Sequence, residues 1–130
     1  MRKRLLIIDD DKEYAETLQM NLERTGEFDV RTINYSPRSV SVGKIVQPDL
    51  ILLDFTMPDH DGAEVLQHLS SQRRLATVPV IMCTALADIP DKESLAGNVK
   101  AIFRKPVRFG ELLERIRALI AENEAAQSTS

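Results

Sequence analysis

Leu50-Ile51-Leu52-Leu53-Asp54 is a run of aliphatic residues closed at its carboxyl end by a carboxylate and introduced by Pro48-Asp49. Apolar residues at consecutive positions face both sides of a strand, so the segment belongs in the middle of a sheet covered on both faces. Leu5-Leu6-Ile7-Ile8, followed by Asp9-Asp10-Asp11, has the same form, as does Val78-Pro79-Val80-Ile81-Met82-Cys83, followed by Thr84-Ala85. Phe28 to Ile33 and Val99 to Phe103 are weaker versions. Between these runs the period changes: Ala15, Leu18 and Leu22 follow helical spacing, and so do Leu112, Leu113, Ile116, Leu119 and Ile120. Val65, Leu66 and Leu69 predict a further helix after the third strand, introduced by the turn residues Asp61-Gly62. The alternation predicts an α/β fold: a doubly wound, five-stranded parallel sheet with five helices spread over both faces, joined by right-handed crossovers. Two of those helices are weakly announced. Residues 36–46 contain Pro37 and Gly43, and residues 85–97 contain Pro90 and few periodic apolar positions, so both are expected to be short or irregular. From Asn123 the chain turns to Glu, Ala, Gln, Ser and Thr without apolar anchors, which divides it into a domain over 1–122 and a flexible tail or start of a linker over 123–130.

A chain of 130 residues holds one ordinary domain and leaves no room for a second catalytic one. No apolar run approaches the ~20 residues that a membrane-spanning helix needs. The 17 lysines and arginines are scattered through a chain of net charge −3, so the basic stripe of a dedicated DNA or RNA binder is missing and a protein or a cation is the expected partner. Met1-Arg2-Lys3-Arg4 is basic like a signal peptide, but the apolar run behind it stops at Ile8 before three aspartates, and the expected location is cytoplasmic. Cys83 is the single cysteine, which excludes an internal disulfide and a cysteine-based zinc site.

In doubly wound sheets ligands bind beyond the carboxyl ends of the strands. Here those ends carry Asp9-Asp10-Asp11, Asp54, Thr84-Ala85 and Lys105-Pro106. Each has a bland reading alone: Asp11 as the cap of the first helix, Thr84 as a cap, Lys105-Pro106 as a surface turn. Together, Asp9, Asp10 and Asp54 would crowd like charges into one cleft, which a cation relieves. Carboxylate oxygens suit Mg²⁺, which keeps most of its water and favours sites where a phosphate completes the ligand set. Cys83, in a buried strand, reads as a small core residue.

Leu5 to Asp11, Pro48 to Gly62, Val78 to Ala85 and Phe103-Arg104-Lys105-Pro106 stand in an order and at separations that resemble the receiver domains of two-component response regulators, over residues Lys3 to about Ala121. The resemblance implies the flavodoxin-like receiver fold and a phosphorelay function. Asp54 would accept a phosphoryl group from a sensor histidine kinase or histidine phosphotransfer protein. Mg²⁺ would be held by Asp9, Asp10, Asp54 and the backbone carbonyl of Thr56. Thr84, Ala85 and Lys105 would contact the phosphoryl oxygens, and the Lys105-Pro106 bond is similar to one that is cis in the family. The recipient of the signal would be a downstream effector protein or a C-terminal output domain outside this chain, with no direct role for nucleic acid or membrane. The domain would be no enzyme beyond its own phosphotransfer and dephosphorylation.

Departures from that pattern concern the switch formed by Thr84 and the residue three before Lys105. That position is usually aromatic and here is Ile102, and the interval from Thr84 to Lys105 is one residue shorter than expected. Thr56 and Leu86, which in the family flank the path of the attacking water, carry no carboxylate or amide, which points to a long-lived phosphoryl group. Asp54-Phe55-Thr56-Met57 lacks the second acid of aspartyl-nucleophile phosphatases, no EF-hand ligand series follows either acidic cluster, and no glycine-rich phosphate loop follows the first strand. The remaining rival is a degenerate receiver acting as a phosphorylation-independent interaction module.

Overall fold

In the computed structural model, which describes residues 2–34, 39–54, 62–85, 91, 95 and 97–128, each apolar run is a strand: β1 (Lys3–Ile8), β2 (Phe28–Ile33), β3 (Leu50–Asp54), β4 (Val80–Thr84) and β5 (Val99–Arg104). The helices are α1 (Lys12–Glu23), α2 (Ser39–Val46), α3 (Gly62–Ser70) and α4 (Phe109–Ser128). The helix expected between β4 and β5 falls largely on residues outside the described ones, as do Pro37 and Pro90.

All strand pairs are parallel, in the order β2-β1-β3-β4-β5. The three continuous aliphatic runs, β1, β3 and β4, occupy the centre, where both faces are covered. β2 lies at an edge, and its alternation of buried Phe28 and Val30 with exposed Asp29 and Arg31 shows why its sequence signal is weaker. Two cores result. Leu5, Ile7, Leu50, Leu52, Ile81 and Cys83 pack against Ala15, Leu18 and Leu22 of α1 and Leu112, Ile116, Leu119 and Ile120 of α4. On the opposite face Leu6, Ile8, Ile51, Leu53 and Met82 pack against Val65, Leu66 and Leu69 of α3. Successive strand residues thus go to opposite cores, as the two-residue period of a strand requires.

Asp11 caps α1, its carboxylate accepting from the Tyr14 backbone N–H at 3.1 Å. In the short α2 a Cβ on Gly43 would stand 3.0 Å from Leu75 Cδ1, so a side chain there would need the end of the leucine to give by a few tenths of an ångström. α4 continues past Asn123 to Ser128, through residues without apolar anchors. Glu, Ala and Gln are good helix formers, and Glu124 is held by an ion pair with Lys3. Two turns earlier along α4, Arg117 grips Glu27 through both carboxylate oxygens, with Nε 2.9 Å from Oε1.

Candidate functional site at the carboxyl ends of the strands

The strand order reverses direction at β1: the chain moves from β1 out to β2, then crosses to β3 on the other side. A crevice opens where neighbouring strands send their connections to opposite faces, and here that is between β1 and β3. Ile8 is the register partner of Leu53, so Asp9 and Asp54 are the next residues across that crevice. On the other side Asp54 pairs with Cys83 and Thr84 pairs with Arg104, so the register also carries Thr84 and Lys105 to the same rim.

Asp9 and Asp54 are both buried, at 3% and 7% exposure, and both meet one cation: Lys105 Nζ lies 3.3 Å from Asp9 Oδ2 and 3.3 Å from Asp54 Oδ2. The other Asp9 oxygen accepts from the Asp11 backbone N–H at 2.8 Å. Burial pushes the Asp9 carboxyl up to about 6, against the stabilising Asp11 N–H; repulsion from Asp54 adds to the rise and attraction to Lys105 offsets part of it. For Lys105 burial works downward, but Asp9 and Asp54 together outweigh it and hold the ammonium above its ordinary value. One lysine therefore satisfies only part of the two-carboxylate charge. Two buried carboxylates that meet at one ammonium offer the oxygen donors a hard divalent cation takes, so the residues present fit Mg²⁺.

Of the remaining residues singled out in the sequence, Thr84 is fully buried and its carbonyl accepts the Lys105 backbone N–H at 2.7 Å, tying the ends of β4 and β5 together. Ala85 is exposed at the rim. Asp10 is half-buried and follows Asp9 directly, and among the described residues no three acids, histidines or cysteines form a group that could hold a metal. Thr56 and Leu86 lie outside the described residues. Ile102 is half-buried against the α3-side core. The Lys105-Pro106 bond is cis. Burial pushes the Cys83 thiol up to about 12, in keeping with a core residue.

Sequence reasoning missed Tyr14. Its ring, in the first turn of α1, lies 4.3 Å from Lys105 Nζ measured to the ring centroid. The available signal was its place one residue before Ala15 and four before Leu18, on a helix whose amino end opens onto the acidic strand end.

Residues 5–117 match the family described as the response regulator receiver domain. The chain belongs to that family. It is 37% identical over 122 residues to the DNA-binding dual master transcriptional regulator RpaA of Synechocystis sp., covering 93% of this chain and 50% of that protein. It is 33% identical over 131 residues to the alkaline phosphatase synthesis transcriptional regulatory protein PhoP of Bacillus subtilis, covering 100% of this chain and 53% of that protein. The chain spans about half the length of the curated relatives it matches. Among solved structures, a response regulator receiver domain protein (CheY-like) from Methanospirillum hungatei is 28% identical with a TM-score of 0.78, covering 97% of this chain and 99% of that one. The receiver domain thus has the five-stranded parallel architecture of CheY-like proteins. Among its described residues no helix is long and apolar enough to cross a membrane.

Proposed function

We propose that this receiver domain accepts a phosphoryl group on Asp54 from the phosphohistidine of a sensor histidine kinase or a histidine phosphotransfer protein. The observation that carries the reading is the burial of Asp54 at the end of β3, beside Asp9 and 3.3 Å from the Lys105 ammonium. An Asp54 oxygen attacks phosphorus, the bond from phosphorus to the imidazole nitrogen breaks, and its electron pair stays on the imidazole. The three equatorial oxygens carry the developing charge, so the protein contributes chiefly position and positive charge. Lys105 supplies the charge, and Thr84 and Ala85 contact the phosphoryl oxygens beside it. Asp9, Asp10, Asp54 and the backbone carbonyl of Thr56 would hold Mg²⁺, which when bound supplies further charge neutralisation for the transferred group.

Residues 1–122 form the receiver in this reading, and 123–130 lead toward an output domain or end in a chain that signals by contact with a separate effector. RpaA and PhoP, named as transcriptional regulators, are about twice as long as the matched region, which supports an output carried outside this chain. The location is cytoplasmic, where such kinases present their phosphohistidine. Incubation with acetyl phosphate and Mg²⁺, followed by intact-mass measurement, tests the assignment. Wild type gains one phosphoryl group and Asp54→Asn gains none. A wild type that gains nothing would leave the chain as a phosphorylation-independent interaction module.

A further inference from the structure

We propose that Tyr14 is a positioning residue: its ring face holds the Lys105 ammonium over the Asp9 and Asp54 pair, in the place from which lysine meets the phosphoryl group. The proposal rests on the reading of Asp54 as phosphoacceptor and deepens it. Lys105 ends in an ammonium on a flexible four-carbon stem, and a lysine free to choose would close on one carboxylate at the 2.7–2.9 Å of a charge-assisted hydrogen bond, about the strongest contact open to it. It does not close. Both carboxylate distances are 3.3 Å, and the third contact is the Tyr14 ring, 4.3 Å from the ammonium. The ammonium is thus shared among two carboxylates and one aromatic face.

An aromatic face attracts a cation through its quadrupole, more strongly where water is excluded. The Lys105 side chain is only 18% exposed, and the Tyr14 ring packs against the core shared by α1 and α4. Its backbone is fixed as well, because its N–H is bonded to the Asp11 cap. The ring is therefore a rigid wall carried by α1, while Lys105 comes from the opposite end of the chain on the segment after β5. A lysine held between carboxylates and ring stays near Asp54 without collapsing onto Asp9, and its donors need no reorganisation when charge develops on the phosphoryl oxygens.

The variants that test this are Tyr14→Phe, which keeps the ring face, and Tyr14→Leu, which keeps apolar volume without it. Tyr14→Met is a second ringless variant should leucine disturb the core. Two readouts are used on the full chain: the Lys105 side-chain methylene resonances, assigned with Lys105→Arg, and the rate of phosphorylation by acetyl phosphate in Mg²⁺ as donor concentration varies. In wild type the methylene next to the ammonium is shifted upfield by the ring current. The ringless variants lose that shift and lower the saturating rate by about threefold to tenfold, with half-saturation little changed. Tyr14→Phe restores both. A ringless variant with the wild-type rate, or a Tyr14→Phe as slow as Tyr14→Leu, overturns the proposal. A wild type that takes no phosphoryl group sinks the phosphoacceptor reading alone; the ring-current comparison then decides by itself whether Tyr14 holds Lys105, loss of the shift supporting it and an unchanged shift refuting it.

Discussion

Lys105 Nζ stands 3.3 Å from Asp9 Oδ2, a contact between residues 96 positions apart in the chain, yet the Asp9 carboxyl is raised rather than lowered. Burial is the larger effect, and the nearby Asp54 charge works in the same direction. The stability of the cleft therefore depends on pH.

In metal-free buffer the sign follows from linkage. Below about pH 4 the Asp9 carboxyl is protonated in both folded and unfolded chains; as pH rises toward 6 the unfolded chain releases its proton while the folded one keeps it, so the folded state loses stability. The loss is complete once pH passes about 6, the folded value. Lys105 stays charged throughout this window. Asp9→Asn cannot titrate there, so between about pH 4 and 7 wild type should fall relative to Asp9→Asn by at most about 3 kcal/mol. Denaturant unfolding in EDTA across that range measures the difference, and parallel pH profiles for the two proteins would contradict it.

Asp10→Ala should weaken the midpoint of Mg²⁺ stabilisation and slow phosphorylation while leaving the metal-free protein folded. Asp10 is half-buried at the end of a sheet whose cores lie beneath it, and removing one acid from a cleft already rich in carboxylates relieves repulsion. Thermal melts with and without Mg²⁺ provide the check. A large drop in the metal-free melting temperature would show that Asp10 is a structural residue instead.

Leu112→Ala should cost about 2–5 kcal/mol, because the side chain is 1% exposed in the core between sheet and α4 and its removal leaves a cavity. Gly97→Ala should cost about 1–2 kcal/mol through a different cause: the residue has φ +81° just before β5, a conformation that a Cβ penalises. Equilibrium unfolding by denaturant separates both from wild type, and a neutral result at Gly97 would mean that the turn relaxes.

Ile102 should make the switch silent to aromatic reporters. It is half-buried against the α3-side core, and a β-branched side chain has few rotamers, so a movement of Thr84 would find no ring to swing in behind it. Any change must then pass through the chain after Thr84. Amide exchange with and without beryllofluoride and Mg²⁺ should show altered protection within residues 85–97, and identical protection there alongside a response on another face would refute this.

The residues that build the sheet and its rim were legible in the sequence for a local reason. A strand buried on both faces must be apolar at every position, and the polar residue that ends such a run must lie at the rim, so Asp9, Asp54 and Thr84 announced their place without any knowledge of their neighbours. The parallel pairing of the strands followed from connections of helical length, and the family resemblance added roles to the same positions. What only the tertiary structure decided involves partners far apart in the chain. Asp9 is pushed up because the assembled sheet buries it and sets Asp54 beside it, Tyr14 faces Lys105 because α1 lies on the same side of the sheet as the chain leaving β5, and α4 runs on to Ser128 past the ion pair of Lys3 with Glu124. Periodicity encodes which face of an element is buried, but register and the side taken by each crossover decide which side chains meet, and those are properties of the assembled sheet.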